Sequence, residues 1–308
     1  MGIAIGRSLA RAVAAVTLVT ASLCNGTASA VEVKEGWFRT NDGYKLHYLE
    51  AGSGETIVMI PGWSQTAAMW KHQMELADGY RVIALDMRGH GESSKGDYGY
   101  RMHRLSKDVH DFLVRRNLRD VTLMGHSMGA SVMWGYWDLY RKERLARMIV
   151  VDQVPACANN PGWTDEQKNQ AGGMMNPDQW YDLGNKIAAS DREFTAGLLG
   201  GMFTKAYSRD ELAWAVDENM KFPRDPAARL VLHHCMTDWR DLYKTIDVPT
   251  LIFGGKASFF KVSALQWMQS QIPGSRLEVF DESEGGAHFM FMENPAKFNA
   301  IVRDFMKQ

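Results

Sequence analysis

Short apolar runs bounded by glycine, proline or charged residues recur along most of the chain, and they predict buried strands. Each run holds about five apolar or β-prone residues, a length typical of strands that are covered on both faces. The runs fall at residues 56–60, 81–85, 121–124, 147–151, 249–253 and 276–280. Between them, apolar residues recur at helical spacing, as at Leu105, Val109, Phe112 and Leu113. This alternation predicts an α/β fold with a mostly parallel, doubly wound sheet and right-handed crossovers.

Two other stretches depart from this pattern. Residues 33–39 and 44–50 alternate around Asn41-Asp42-Gly43, which predicts an N-terminal β-hairpin. After Pro155 the strand pattern stops, and short helical patterns rich in Trp, Met and charged residues follow. These helices are expected at residues 178–188, 191–199, 209–220 and 226–243. We therefore expect a core formed by residues 31–155 and 248–308, with residues 156–247 inserted as a helical cap or lid.

The run at residues 121–124 leads directly into Gly125-His-Ser-Met-Gly129, and a helical pattern begins at Met128. Strand, G-x-S-x-G and helix together are the context of a nucleophile elbow, in which a serine lies on a sharp, strained turn. Glycines at both ends of the motif let neighbouring backbone come close. Because sites in such sheets lie at the carboxyl ends of the strands, Ser127 is the candidate nucleophile.

A serine hydroxyl needs an adjacent base, and His288 is the best placed of the nine histidines. It lies in Gly285-Gly-Ala-His288, a glycine-rich loop that follows the last strand run. His126 neighbours Ser127 but is expected on the opposite side of the turn. His90 lies near a strand end, but its surroundings indicate a structural turn.

Five motifs, taken in chain order, resemble those of the α/β-hydrolase fold enzymes over nearly all of the chain after residue 30. The resemblance rests on Ile60-Pro-Gly-Trp63, Asp86-Met-Arg-Gly-His-Gly-Glu-Ser93, Gly125-His-Ser-Met-Gly129, Pro249-Thr-Leu-Ile-Phe253 and Gly286-Ala-His288. It implies a serine nucleophile, an acid and a histidine in that chain order. It also implies an oxyanion hole formed by the backbone N–H groups of Trp63 and Met128.

The acid of the expected triad departs from the commonest family pattern. Many family members carry it in a Gly-x-x-Asp sequence after the strand at residues 249–253, but this chain has Gly255-Lys-Ala-Ser258 there. Some dehalogenases, lactonases and cofactor-free dioxygenases of this fold place the acid after the strand that follows the elbow, where this chain has Asp152. We therefore predict Asp152 as the acid that orients His288. The alternatives are Asp247, Asp281, Glu282 and Glu284.

The first thirty residues are expected to be a signal peptide, so the protein is predicted to be periplasmic or secreted. Arg7 and Arg11 form a basic start, an apolar stretch follows at residues 12–23, and Ala28-Ser-Ala30 resembles a cleavage site. The stretch of about 12 residues is too short for a membrane span, which needs about 20, so no stable membrane anchor is expected. The 35 basic and 36 acidic side chains nearly balance and form no basic run, so no nucleic-acid binding is expected.

The cysteines and paired histidines leave one question open and suggest no metal site. Cys157 and Cys235 are compatible with either a disulfide or two buried thiols. His233 and His234 are adjacent, so on a helix they point in different directions. No nearby cluster of Asp, Glu or Cys is expected to complete a ligand set. We therefore expect neither a metal nor a cofactor.

These features predict a serine hydrolase that cleaves carboxylic esters or lactones of small molecules through an acyl-enzyme. Family members that open epoxides or remove halides carry an aspartate at the position of Ser127, so neither activity is expected. The alternatives are a cofactor-independent oxygenase or perhydrolase on the same fold, and a ligand-binding protein without turnover. Seven residues of the cap suggest an apolar pocket, namely Trp163, Met174, Met175, Trp180, Met202, Phe203 and Trp214.

Overall fold

The computed structural model describes residues 31–308, so the expected signal peptide lies outside the described residues. Eight strands form one sheet in the order β1-β2-β4-β3-β5-β6-β7-β8. Their bounds are β1 Lys34–Arg39, β2 Lys45–Ala51, β3 Thr56–Ile60, β4 Arg81–Leu85, β5 Val121–His126, β6 Leu145–Val151, β7 Thr250–Gly255 and β8 Arg276–Phe280. Strand β2 is antiparallel to β1 and β4, and all other neighbours are parallel. The predicted α/β sheet is confirmed.

Helices cover both faces of this sheet. Within residues 31–308 they are α1 Met102–Arg115, α2 Met128–Tyr140, α3 Asp165–Ala171, α4 Pro177–Ala188, α5 Arg192–Gly200, α6 Arg209–Met220, α7 Arg224–Cys235, α8 Val262–Gln271, α9 Met290–Glu293 and α10 Pro295–Met306. None of these helices combines the length and the apolar character needed to cross a membrane.

Successive residues of the strands point to opposite faces, so the sheet separates two clusters of buried side chains. Val58 and Val150 pack with residues of α1, α2 and α8 on one face. Ile57 and Val151 pack with residues of α9 and α10 on the other. Both faces are therefore covered, which explains why the central strands are apolar at nearly every position.

The N-terminal hairpin is confirmed. Strands β1 and β2 pair with Arg39 opposite Lys45. The connecting turn contains Gly43 at a φ of 90°, a conformation that glycine adopts without steric cost. The hairpin extends the sheet at its β4 edge.

Five helices, α3 to α7, lie between β6 and β7 and correspond to the expected cap. Helix α4 packs against α7, and α5 packs against α6. Phe222 and Leu230 join the same buried cluster as α1 and α2. The segment is therefore continuous with the core through its apolar side chains, and its treatment as a separate cap stays a prediction.

The expected helix at residues 226–243 is wrong at its end, because α7 stops at Cys235. The hydroxyl of Thr237 donates to the carbonyl oxygen of His233, and the N–H of Thr237 donates to that of His234. Threonine side chains that bond to nearby backbone compete in this way with helix continuation. The chain consequently turns away at the point where His234 and Cys235 lie.

The parallel register brings the carboxyl ends of three strands side by side. His126 at the end of β5 lies opposite Val151 of β6, and Val151 lies opposite Phe253 of β7. The backbone N–H of Ser127 donates to the carbonyl oxygen of Val151 at 2.9 Å. The N–H of Asp152 donates to that of Phe253 at 3.0 Å. Ser127 and Asp152 therefore leave the sheet at the same edge.

Candidate active site

Ser127 lies on a strained turn between β5 and α2. Its backbone has φ 51° and ψ −124°, a region that non-glycine residues seldom occupy. Strand β5 ends at His126 and α2 begins at Met128, so Ser127 alone makes the reversal. Such strain persists only where the surrounding structure imposes it, and it is concentrated at functional sites.

The two glycines of the motif are required by close backbone packing. A Cβ atom on Gly129 would collide with the carbonyl oxygen of Ile60 at the end of β3. A Cβ atom on Gly125 would lie 2.5 Å from the carbonyl carbon of Gly129. The absence of both side chains lets α2 begin directly against β3 and holds Ser127 at the edge of the sheet.

The structure brings His288 together with Asp152. Nδ1 of His288 lies 2.6 Å from Oδ2 of Asp152, and both side chains are buried. The four alternative acids do not bond to His288. Asp247 pairs with Lys142 and Asp281 with Lys256, while Glu284 pairs with Lys297. The geometry thus favours Asp152 as the partner of the imidazole, and its catalytic role stays a prediction.

Aromatic rings enclose the imidazole of His288. The ring centres of Phe259, Phe260 and Phe289 lie 4.5, 5.5 and 5.3 Å from it. Burial lowers the pKa of His288 to about 3, with a smaller contribution from His234. At neutral pH the ring is therefore uncharged and can accept a proton from a nucleophile.

Burial has the opposite effect on Asp152, because it disfavours the ionised carboxylate. It raises the pKa of Asp152 to about 8, against the hydrogen bonds from the Ser258 hydroxyl and the Gly255 N–H. The carboxyl and the imidazole share a hydrogen bond, so their protonation is coupled and belongs to the pair. Ionised Asp152 can stabilise an imidazolium when His288 takes up a proton.

The expected hydrogen bond between the Ser127 hydroxyl and His288 is not formed in this structure. Within residues 31–308, no hydrogen bond joins the Ser127 hydroxyl to His288 or to any other side chain. Catalytic hydrogen bonds of enzymes without substrate are often long and tighten in the substrate complex. The structure thus brings His288 and Asp152 into contact. It places Ser127 at the same edge of the sheet, without a hydrogen bond between its hydroxyl and His288.

The expected oxyanion donors lie at two chain segments that meet at this edge. The N–H groups of Trp63 and Met128 donate to no acceptor within residues 31–308. Met128 is the first residue of α2, where backbone N–H groups have no partner within the helix. The indole N–H of Trp63 donates to the carbonyl oxygen of Ala227 in α7 at 2.8 Å. Trp63 therefore joins the loop after β3, which carries one of the expected donors, to helix α7.

Sequence reasoning missed the role of His126. Nδ1 of this buried ring lies 2.9 Å from Oε1 of Gln65, and Nε2 lies 2.9 Å from the carbonyl oxygen of His288. Gln65 in turn accepts a hydrogen bond from the N–H of Gly62 at 3.1 Å. His126 thus lies between the loop of the candidate base and the loop of Trp63, and because burial keeps the pKa of His126 low, the neutral ring donates its one N–H to one of these two oxygens. Its place inside the G-x-S-x-G motif was the only signal.

His90, the other histidine considered near a strand end, is structural. Its Nε2 accepts from the N–H of Ser64 at 3.1 Å, and its Nδ1 lies 2.9 Å from the carbonyl oxygen of Arg88. The ring packs on Phe222 with centroids 4.2 Å apart. Both ring nitrogens are therefore engaged away from Ser127.

Ser127 borders a largely apolar cavity of about 270 Å³ between the sheet edge and the cap. This volume lies just below the usual range for small-molecule sites, roughly 300–1,000 Å³, so it suits a small substituent. Four of the seven predicted cap residues line the cavity, namely Met174, Met175, Trp180 and Met202. The other three do not line it, because Trp163 contacts Arg240, Trp214 contacts Lys71, and Phe203 stacks on Tyr207 and Phe289.

The same cavity contradicts the expectation that no cluster of Asp, Glu or Cys side chains completes a ligand set around His234. Cys157 and Cys235 are free buried thiols that line the cavity beside His234. Nε2 of His234 lies 3.7 Å from Sγ of Cys157. The hydrogen bond with Cys235, followed by the influence of His234 and Gln153, lowers the pKa of the Cys157 thiol. The approach of Cys157 to His234 could not be predicted, because the end of α7 and the loop after β6 meet only in the folded chain.

Comparisons with known proteins agree with this architecture. Residues 57–301 match the sequence model of the alpha/beta hydrolase family. The non-heme chloroperoxidase CPO-A1 of Kitasatospora aureofaciens is 28% identical over 279 residues, which cover 87% of this chain and 98% of that protein. An esterase from Exiguobacterium antarcticum superposes with a TM-score of 0.80 at 26% identity, over 88% of this chain and 99% of that one. A bromoperoxidase from Bacillus anthracis superposes with a TM-score of 0.82 at 22% identity, over 89% of this chain and 100% of that one.

Proposed function

The chain belongs to the alpha/beta hydrolase family, and from this premise we propose that it hydrolyses carboxylic esters or lactones with Ser127 as nucleophile. The observation that carries the proposal is the strained Ser127, which borders an apolar cavity at the sheet edge where the His288–Asp152 pair also lies. An uncharged acyl or ring substituent suits this cavity, because nearly all of its lining residues are apolar.

In the proposed reaction, His288 takes the proton of the Ser127 hydroxyl as the oxygen attacks the substrate carbonyl. Negative charge then develops on the carbonyl oxygen, where the N–H groups of Trp63 and Met128 stabilise it. The tetrahedral intermediate collapses with cleavage of the bond to the leaving oxygen, which receives the proton from His288. Asp152 stabilises the imidazolium that exists between these two proton transfers.

The second half of the reaction repeats this sequence with water. His288 removes a proton from the water molecule as it attacks the acyl-enzyme, and the Ser127 oxygen leaves with the returned proton. The products are a carboxylic acid and an alcohol, or a hydroxy acid when the substrate is a lactone. No cofactor enters these steps, and we propose that none is needed.

A Ser127→Ala variant tests the proposal most directly. Turnover of a p-nitrophenyl ester should fall by about 10,000-fold or more, and labelling by a fluorophosphonate should disappear. Ser131→Ala is the matched control, because Ser131 lies one turn further along α2 and its buried hydroxyl has no partner among the described residues. Turnover that persists in Ser127→Ala would contradict the assignment of the nucleophile.

Perhydrolysis is a second candidate, favoured by the 28% identity to a protein named as a non-heme chloroperoxidase. In this reaction hydrogen peroxide replaces water, so the acyl–oxygen bond to Ser127 breaks and a peroxy acid is released. The peroxy acid then oxidises a halide in solution. Peroxide-dependent bromination that requires both a carboxylate donor and Ser127 would support this activity, whereas bromination by Ser127→Ala would argue against it.

We further propose that the protein acts in the periplasm or outside the cell. The basic start, apolar stretch and Ala28-Ser-Ala30 of the first thirty residues support this location. Sequencing of the N-terminus of the protein recovered from its native compartment is expected to begin at Val31. Recovery of an uncleaved chain from the cytosol would oppose the proposal.

A further inference from the structure

Two thiols and one imidazole converge on the wall of the cavity that Ser127 borders. Sγ of Cys157, Sγ of Cys235 and a ring nitrogen of His234 all lie within 4.8 Å of one another, and the three side chains are buried. All three line the cavity together with Ser127. We propose that these residues form a binding site for a soft divalent metal ion, with Zn²⁺ as the representative ion.

The donor set and its spacing fit zinc. Thiolate sulfur and imidazole nitrogen are the ligands that zinc prefers, at about 2.3 Å and 2.0–2.1 Å. At a tetrahedral angle these lengths separate sulfur and nitrogen by about 3.6 Å, and the observed distance from Cys157 Sγ to His234 Nε2 is 3.7 Å. Two thiolates also neutralise the charge of the ion, which suits an apolar surrounding. Binding displaces one proton from each thiol.

The backbone holds the ligands in place before any ion binds. The N–H of Ala158 donates to the carbonyl oxygen of Cys235 at 3.0 Å, which fastens the loop after β6 to the end of α7. The carbonyl oxygen of Cys157 accepts from the N–H of Met174 and from the indole N–H of Trp180. The side chain of Gln153 donates to Sγ of Cys157 at 3.3 Å. Hydrogen bonds of this kind orient metal ligands and support a thiolate.

Three protein ligands leave one coordination position of a tetrahedral ion open. Because the ligands share the cavity with Ser127, an ion held by them lies where the acyl group of a substrate would lie. We therefore expect the ion to inhibit ester turnover, and this part of the inference rests on the proposed function.

The test measures zinc binding directly, on the full-length chain in a Cys24→Ser background and under reducing conditions. Wild type is expected to bind one zinc ion per chain after dialysis. Co²⁺, a spectroscopic substitute for zinc, should give thiolate-to-metal charge-transfer absorption. Cys157→Ser, Cys235→Ser and His234→Gln should each bind zinc at least about 100-fold more weakly. Circular dichroism checks that each variant is folded, and His234→Gln retains both thiols.

His233→Gln is the matched control, because His233 neighbours His234 but lines a different cavity with His103. It should bind zinc like wild type. Failure of the reduced wild type to retain zinc, or retention of zinc by folded His234→Gln and Cys157→Ser, would overturn the inference. Zinc that binds stoichiometrically without affecting ester turnover would overturn the expected inhibition alone. Absence of ester turnover in a protein that binds zinc would refute the proposed function and leave the metal site standing.

Discussion

The hydroxyl of Ser258 donates a 2.6 Å hydrogen bond to Oδ2 of Asp152. Ser258 stands at the position where many family members carry the triad acid, in Gly255-Lys-Ala-Ser258. In this chain the carboxylate predicted as the acid instead follows the neighbouring strand β6, and a hydrogen-bond donor stands at position 258. Oδ2 of Asp152 is therefore contacted twice, by the Ser258 hydroxyl after β7 and by Nδ1 of His288, and β6 and β7 are adjacent in the sheet.

This relationship predicts that an aspartate at position 258 can partly replace Asp152 as the acid. Asp152→Asn should lower kcat by about 1,000-fold or more, because the imidazolium loses its stabilising charge. Adding Ser258→Asp should recover at least about tenfold of that loss. Steady-state kinetics with one ester measure both variants. Ser258→Ala in the wild-type background is the control and should retain most activity, whereas a double variant no faster than Asp152→Asn would contradict the equivalence of the two positions.

The pH dependence of catalysis should follow the protonation of the buried His288–Asp152 pair. Below the raised pKa of Asp152, about 8, the pair holds an additional proton, which either neutralises Asp152 or occupies the base. In both cases general-base catalysis weakens, so kcat/KM for an uncharged ester should rise with pH through this region. A profile that is flat from about pH 6 to 9 would contradict the effect of burial. In Asp152→Asn the alkaline rise should be absent.

Stability should fall at acidic pH because of His90. Burial lowers the pKa of His90 to about 4 from its ordinary 6.5, so the unfolded chain binds a proton between these values while the folded chain does not. The contribution of neutral His90 to the free energy of unfolding is therefore fully present above pH 6.5. It is lost as pH falls toward 4, by up to about 3 kcal/mol. Urea unfolding at several pH values measures the effect. His90→Gln should show a shallower loss than wild type, and an identical loss in both would be inconsistent with this origin.

Gly129→Ala should destabilise the fold and disable the site. The new methyl group would collide with the carbonyl oxygen of Ile60, and the strained turn at Ser127 would have to shift. We expect a loss of about 2–3 kcal/mol in the free energy of unfolding, measured by urea denaturation, together with loss of fluorophosphonate labelling. Gly197→Ala in α5 is the matched control, because, apart from its own helix backbone and chain neighbours, a methyl group there would meet no other atom of residues 31–308 within 4 Å and should be neutral or stabilising. Equal effects of the two changes would count against the packing argument.

The sheet could be predicted because its strands are nearly uninterrupted apolar runs. Helix α3 could not, since Ala171 is its only buried residue and no apolar periodicity marks it. Ser127, His288 and Asp152 could be selected because each follows a strand and therefore lies at one edge of the sheet. The bridge from Gln65 through His126 to His288 joins residues far apart in the chain, as does the contact of Cys157 with His234. Such contacts depend on the paths of loops, which residue patterns alone do not specify.

Trp63 links two parts of the molecule that would otherwise act separately. Its backbone N–H is the proposed donor to the reacting oxygen, and its indole N–H is bonded to Ala227 of α7. Through this bond, any change in the position of α7 would shift the loop that carries the proposed donor. The position of the proposed oxyanion donor therefore depends on the packing of α7 as well as on the edge of the sheet.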